Sequence, residues 1–84
     1  MEVYSNEEIR SALEQGNMYL KVLAKITTPD GQHTAMRKGR QYKVLEEFDD
    51  VWLVETEPMS QKLPWIGETL VDKDSDIFEI VIRR

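Results

Sequence analysis

The chain has 84 residues, enough for one domain with a single modest hydrophobic core. It contains no cysteine, which excludes a disulfide framework and a thiolate metal site and is typical of a reducing compartment. Sixteen carboxylates against 11 basic side chains give a net charge of −5, which disfavours direct nucleic-acid binding and favours a basic protein partner.

The N-terminal segment is predicted to form a short helix over about residues 5–16. Ser5 and Glu8 have the spacing of a capping box, and Gly16 suits the C-terminal cap. The apolar residues between them recur at helical spacing and form one stripe: Ile9, Ala12 and Leu13. A helix this short is marginal alone in water, so we expect its stripe to pack on the sheet that follows.

From residue 18 the pattern changes to the alternation of apolar and polar residues that is typical of β-strands. Turn residues separate the runs, and a Pro- and Gly-containing loop is expected over residues 58–69. The predicted strands are residues 18–28, 32–36, 41–48, 51–56, 69–72 and 77–82. Short strands at this spacing predict a mainly β protein with one N-terminal helix, in which residues 18–82 form a small closed or partly open barrel of five or six strands within a single domain, 1–84.

Residues 36–57 are the most informative stretch, because they read as a central hairpin closed by Asp49 and Asp50. Tyr42, Val44 and Glu46 are expected on one face of its first strand. The register of the second strand stays open, since a slip of one residue exchanges Trp52 and Leu53 at the core face.

The charges are divided unevenly along the chain. Residues 20–40 hold five bases and one acid, whereas residues 41–80 hold eleven acids and three lysines. Neighbouring carboxylates on one strand face lie about 6.5 to 7 Å apart, close to the spacing of successive phosphates in a nucleic-acid strand. We hypothesise a protein-binding surface made of Glu46, Glu47, Asp49, Asp50, Glu55 and Glu57, with Glu68, Asp72, Asp74 and Asp76 as a flanking rim. The alternative is an acidic, solvated face with no target.

No catalytic motif is present, and we expect neither enzymatic activity nor a cofactor. Residues 72–76, DKDSD, begin like a calcium loop, but Ile77 and Arg83 stand where such a loop needs Gly and Glu, which favours a solvated turn. His33 is the one histidine, and no cysteine or second histidine completes a zinc set. The sequence therefore predicts no metal site.

The start of the sequence is not expected to act as a targeting segment. Its start, MEVYSNEEIR, lacks the basic residues and apolar run of a signal peptide. No apolar stretch approaches the roughly 18 residues that suggest a membrane span. We expect a soluble, cytoplasmic protein without a membrane partner.

Three segments, KGRQYKV at residues 38–44, DDVWLVE at 49–55 and DIFEI at 76–80, resemble the Src-homology-3-like barrels common among small bacterial and phage proteins. The resemblance covers about residues 20–82 and implies the barrel topology. Some family members bind Pro-rich peptides in an aromatic groove. This implies an alternative function, a peptide- or protein-binding adaptor using Tyr42, Trp52 and Trp65.

The compact, acidic, cysteine-free chain with an added N-terminal helix is also similar to the host-takeover proteins of lytic phages. Some of those act as DNA mimics. This similarity implies a basic host DNA-binding protein as partner, such as an HU-type nucleoid protein or an RNA polymerase subunit, met in the host bacterial cytosol. A structural role in a phage particle is a further alternative.

Overall fold

The fold was analysed in a computed structural model that describes residues 4–27, 31, 33–57 and 67–83. The predicted mainly β character with one N-terminal helix is confirmed. The elements are α1 (Asn6–Gln15), β1 (Met18–Val22), β2 (Ile26–Thr27), β3 (Thr34–Met36), β4 (Gln41–Glu47), β5 (Val51–Glu55), β6 (Glu68–Asp72) and β7 (Phe78–Ile82). The first predicted strand is thus two strands, β1 and β2. The predicted loop at residues 58–69 lies mostly outside the described residues.

Both predicted caps of α1 are confirmed. The Glu8 amide donates to Ser5 Oγ at 3.1 Å, and the Ser5 amide donates to Glu8 Oε1 at 3.2 Å, which completes the capping box. Gly16 ends the helix with a φ of 73°, a left-handed conformation that glycine adopts without steric cost. Ala12 is buried in the core, and Ile9 and Leu13 pack against it. The helix is therefore held by the sheet, as its length requires.

Removing the N-terminal cap is expected to destabilise the protein. Ser5→Ala deletes the hydroxyl that accepts from the Glu8 amide, and we expect the free energy of unfolding to fall by about 1 kcal/mol in chemical denaturation. Ser11→Ala, the same substitution inside the helix, is the control and should change it by less than about 0.5 kcal/mol. Equal losses in the two variants would contradict a stabilising cap.

Five strands form one antiparallel sheet in the order β6-β5-β4-β1-β7, and β2 and β3 pair in a separate two-stranded sheet. β4, β5 and β6 follow one another as a meander, whereas β7 returns to pair with β1. Across the described ranges β6 and β7 remain the two edges of the sheet, so these strands do not form a closed barrel.

The core lies on the face of the sheet that α1 covers. Its buried residues are Ala12, Met18, Leu20, Val22, Met36, Tyr42, Val44, Trp52, Val54 and Val71. Trp52 and Val54 are thus on the core face, and Leu53 points to the opposite side. The open question of register is resolved in favour of Trp52 as a core residue.

A β-bulge in β4 changes which residues share a face. Val44 pairs with Val54, but the next pairs are Glu46 with Leu53 and Glu47 with Trp52, so one extra residue, Leu45, lies between them. The expected grouping of Glu46 with Tyr42 and Val44 is therefore wrong. Glu46 lies on the outer face, and Glu47 takes the core-face position opposite Trp52.

α1 is the one helix among the residues that the structure describes, and with ten mostly polar residues it does not meet the length and hydropathy needed to cross a membrane.

Candidate protein-binding site

Four exposed aspartates gather where two turns meet at one end of the sheet. Asp49 and Asp50 form the β4–β5 turn, Asp72 ends β6, and Asp74 lies in the following turn. We call these four residues the aspartate cluster. The Lys73 amide donates to the Asp50 carbonyl at 3.0 Å and joins the two turns.

The aspartates of the cluster are exposed and form no ion pair with any described residue. Asp50, Asp72 and Asp74 line one open hollow of about 430 Å³ with Ser75. Within the described ranges, none of the four aspartates forms an ion pair. The hollow therefore presents concentrated negative charge to solvent on a backbone that is fixed by hydrogen bonds.

Glu47 differs from these aspartates because its charge is paired. Lys73 Nζ lies 2.9 Å from Glu47 Oε2, and the same ammonium group lies 4.4 Å from the centre of the Trp52 ring. The lysine thus covers the edge of the core through an ion pair and a cation–π contact. Together with Asn6, Ile9 and Arg10 of α1, these side chains line a cleft of about 310 Å³. Glu47 is brought to this cleft and not to the aspartate cluster.

Glu57 is also paired, with the basic turn that precedes β4. Its Oε1 lies 2.8 Å from Arg37 Nε and 2.6 Å from an Arg40 guanidinium nitrogen, and its side chain is only 15% exposed. The Glu57 amide donates to the Ala35 carbonyl at 2.8 Å, which brings the end of the central hairpin back to β3. The basic and acidic ends of residues 36–57 therefore contact each other, and Glu57 is the least available of the hypothesised contact residues.

The same corner contains a buried tyrosine hydroxyl. The Arg37 amide donates to Tyr42 Oη at 2.7 Å. Tyr42→Phe keeps the ring but removes this acceptor, so we expect the free energy of unfolding to fall by about 1–2 kcal/mol in thermal denaturation. The control is Tyr19→Phe, because Tyr19 instead stacks its ring under Arg83 at 3.8 Å and should lose less than about 0.5 kcal/mol. A loss in Tyr42→Phe no larger than in the control would contradict the role of the hydroxyl.

The remaining glutamates lie on the outer face of the sheet. Glu46 is opposite Leu53, and Glu55 is directly opposite Glu68. Like charges in directly opposite positions are destabilising. Because Glu46 and Glu47 point to opposite faces, the even row of carboxylates expected along residues 41–57 is not formed; the outer acids are spread over three strands.

Asp76 is exposed in the segment before β7, but it does not line the aspartate hollow. The predicted rim thus separates: Asp72 and Asp74 lie with the turn residues, Glu68 lies opposite Glu55, and Asp76 lies apart from both groups.

Sequence reasoning did not identify Lys73 as a partner of Glu47 and Trp52. Its position between two aspartates gave no signal of this contact.

The aromatic residues of the alternative adaptor function are largely covered. Tyr42 and Trp52 are each 6% exposed. Trp65 lies outside the described residues. Tyr42 and Trp52 are therefore core residues, and Trp52 also lines the small cleft beside Glu47 and Lys73.

In the described ranges no group of three or more His, Cys, Asp or Glu residues is arranged to hold a metal ion, including the segment from Asp72 to Asp76.

No protein-family model, curated protein or solved structure matches the chain.

Proposed function

We propose that this protein is a phage-type inhibitor that binds a basic host DNA-binding protein by acidic mimicry and blocks its access to nucleic acid. The partner is an HU-type nucleoid protein or an RNA polymerase subunit, met in the cytoplasm of the bacterial host. The protein acts by binding alone and catalyses no reaction. The observation that carries the proposal is the aspartate cluster, four exposed aspartates at one end of the sheet that form no ion pair with any residue the structure describes.

The Glu55–Glu68 pair extends this acidic surface along the sheet. Asp72 is opposite Val51 at one end of the β5–β6 ladder, and Glu68 is opposite Glu55 at the other. Four residues along a strand correspond to about 13 Å, so the two acidic groups span several phosphates of a nucleic-acid strand. The like-charged pair costs stability in the free protein, a cost that a cationic partner offsets.

We further propose that the fold is a partly open Src-homology-3-like arrangement. Three features of the strand order support this proposal. β1 pairs with the last strand, and β4 to β6 form a meander. The two strands of the small β2–β3 sheet come between β1 and β4 in the chain, although β1 and β4 pair with each other. In this arrangement the aspartate cluster lies at the two turns that follow β4 and β6.

The salt dependence of binding tests the proposal. A fluorescently labelled sample of the protein is titrated in separate arms with a purified HU-type nucleoid protein and with the DNA-binding subunits of RNA polymerase. We expect binding in at least one arm, weakening about tenfold or more between about 50 and about 200 mM salt, because screening removes the attraction between opposite charges. Absence of binding in every arm at low salt, or an affinity indifferent to salt, would overturn acidic mimicry.

A further inference from the structure

Three leucine side chains lie in a line across the outer face of the sheet. Leu53 and Leu70 are directly opposite each other on β5 and β6, and Leu45 stands at the bulge of the neighbouring strand β4. Leu70 is 58% exposed and Leu45 is 39% exposed. We call these three residues the leucine strip. Leu53, between them, is half-buried. Leucines on three adjacent strands make a contiguous apolar patch, which on a small protein often marks an interaction site.

Carboxylates border the leucine strip on both sides. Glu46 is the cross-strand neighbour of Leu53 on β4. On the side of the hairpin turn, Asp72 lies two residues from Leu70 on β6. On the opposite side, the Glu55–Glu68 pair lies two residues from the Leu53–Leu70 pair. An apolar centre with a charged rim is the usual composition of a protein interface. Here the carboxylates outnumber one cation, Lys43, which lies on the outer face of β4 two residues before Leu45, so the rim is net negative.

The sign of the rim decides what can cover the strip. A second copy of this chain would place the rim carboxylates of both molecules against each other, and like charges across an interface cost several kcal/mol. An anionic surface is repelled for the same reason. A segment with apolar side chains between lysines or arginines matches both the strip and the rim.

We propose that the leucine strip is the apolar centre of the partner interface and that it takes a cationic amphipathic segment of the partner. This inference rests on the proposed function and adds a requirement to it: the partner's contact surface is apolar at its centre and basic at its edge. The acids steer the basic partner to this face, and burial of the leucines then slows its release.

Two synthetic peptides test the strip. One contains leucine and lysine in an amphipathic arrangement, and the other has serine in place of every leucine and the same number of lysines. In NMR titrations of the ¹⁵N-labelled protein, we expect the leucine peptide to bind at least about tenfold tighter and to shift the amide signals of the leucine strip. Equal affinity for the two peptides, or shifts that leave the strip unchanged, would overturn the inference.

A pair of variants controls for a general loss of hydrophobic surface. Leu45→Ser with Leu70→Ser should abolish the advantage of the leucine peptide. Leu23→Ser should keep it, because Leu23 is 41% exposed but follows β1, outside the strip. An advantage that survives the double substitution, or that disappears with Leu23→Ser, counts against the strip.

Sedimentation of the protein alone should give a monomer. A dimer that Leu70→Ser dissociates would assign the strip to a second copy of the chain instead.

The same variants separate this inference from the proposed function. If the leucine double variant binds the basic host protein normally while neutralised aspartates abolish binding, the strip is not part of the interface and acidic mimicry stands. If both sets of substitutions weaken binding, both proposals are supported. If neither does, the proposed function itself fails.

Discussion

Neutralising the acidic hollow with Asp50→Asn, Asp72→Asn and Asp74→Asn is expected to weaken binding to the basic partner by about 10- to 100-fold. Each exposed charge contributes roughly 0.5–1 kcal/mol to such an interaction, and a tenfold change in affinity corresponds to about 1.4 kcal/mol. Isothermal calorimetry at low salt measures the loss. Stability should stay the same or rise, because the substitutions remove repulsion between neighbouring carboxylates.

The matched control removes three carboxylates elsewhere. Glu7→Gln, Glu14→Gln and Glu79→Gln make the same change in net charge at exposed positions of α1 and β7, away from the two turns. We expect this variant to lose less than about threefold in affinity, through the weaker long-range field alone. Equal losses in the two triple variants would show that net charge, and not the position of the aspartates, decides binding.

Glu47→Gln is informative for a different reason. Its carboxylate pairs with Lys73, so neutralising it breaks a structural ion pair instead of removing a free charge. We expect Glu47→Gln to leave the affinity for the basic partner nearly unchanged, whereas Asp50→Asn should weaken it. Glu47 was grouped with the contact residues on sequence grounds, and this comparison separates it from them.

Trp52→Ala is expected to have the largest effect on stability. Trp52 is 6% exposed, faces Val71 across the β5–β6 ladder and is covered by Lys73. Deleting a buried tryptophan side chain costs about 3–5 kcal/mol through lost burial and the cavity left behind. A domain of this length has a total of roughly 4–13 kcal/mol, so the variant should be partly or wholly unfolded at 37 °C.

Leu53→Ala is the control for the register of β5. Leu53 is adjacent in sequence but lies on the outer face, and its truncation should cost less than about 1.5 kcal/mol. Urea denaturation followed by circular dichroism compares the two variants. If Leu53→Ala were the more damaging substitution, the strand would be shifted by one residue and the assignment of its faces would be wrong.

The parts of the fold that could be predicted from sequence are those set by local interactions. The caps of α1 depend on residues three or four positions apart, and the alternation in β1 follows from a core on one face. The bulge at Leu45 could not be predicted, because two adjacent apolar residues fit a bulge, a slip or an edge equally well. That one residue decides that Glu46 faces outward and that Glu47 lies beside Trp52.

The candidate site was predicted in composition but not in arrangement. The acids are visible in the sequence, but the pairing of Glu57 with Arg37 and Arg40 joins residues 17 to 20 positions apart and depends on tertiary structure. Likewise, Asp50 and Asp74 come together only because β6 pairs with β5 and returns the chain to the hairpin turn. Charge counting therefore predicts a basic partner, and the strand register determines which acids are paired and which are exposed.

Displacement of DNA tests the central claim most directly. A labelled DNA duplex is bound to the basic host protein that shows salt-dependent binding, and the unlabelled 84-residue protein is added while fluorescence anisotropy and native gel mobility are recorded. We expect free DNA to be released as a stoichiometric protein–protein complex forms, and the Asp50→Asn, Asp72→Asn, Asp74→Asn variant to release little. A stable ternary complex, in which DNA stays bound while this protein is also attached, would contradict binding at the nucleic-acid face.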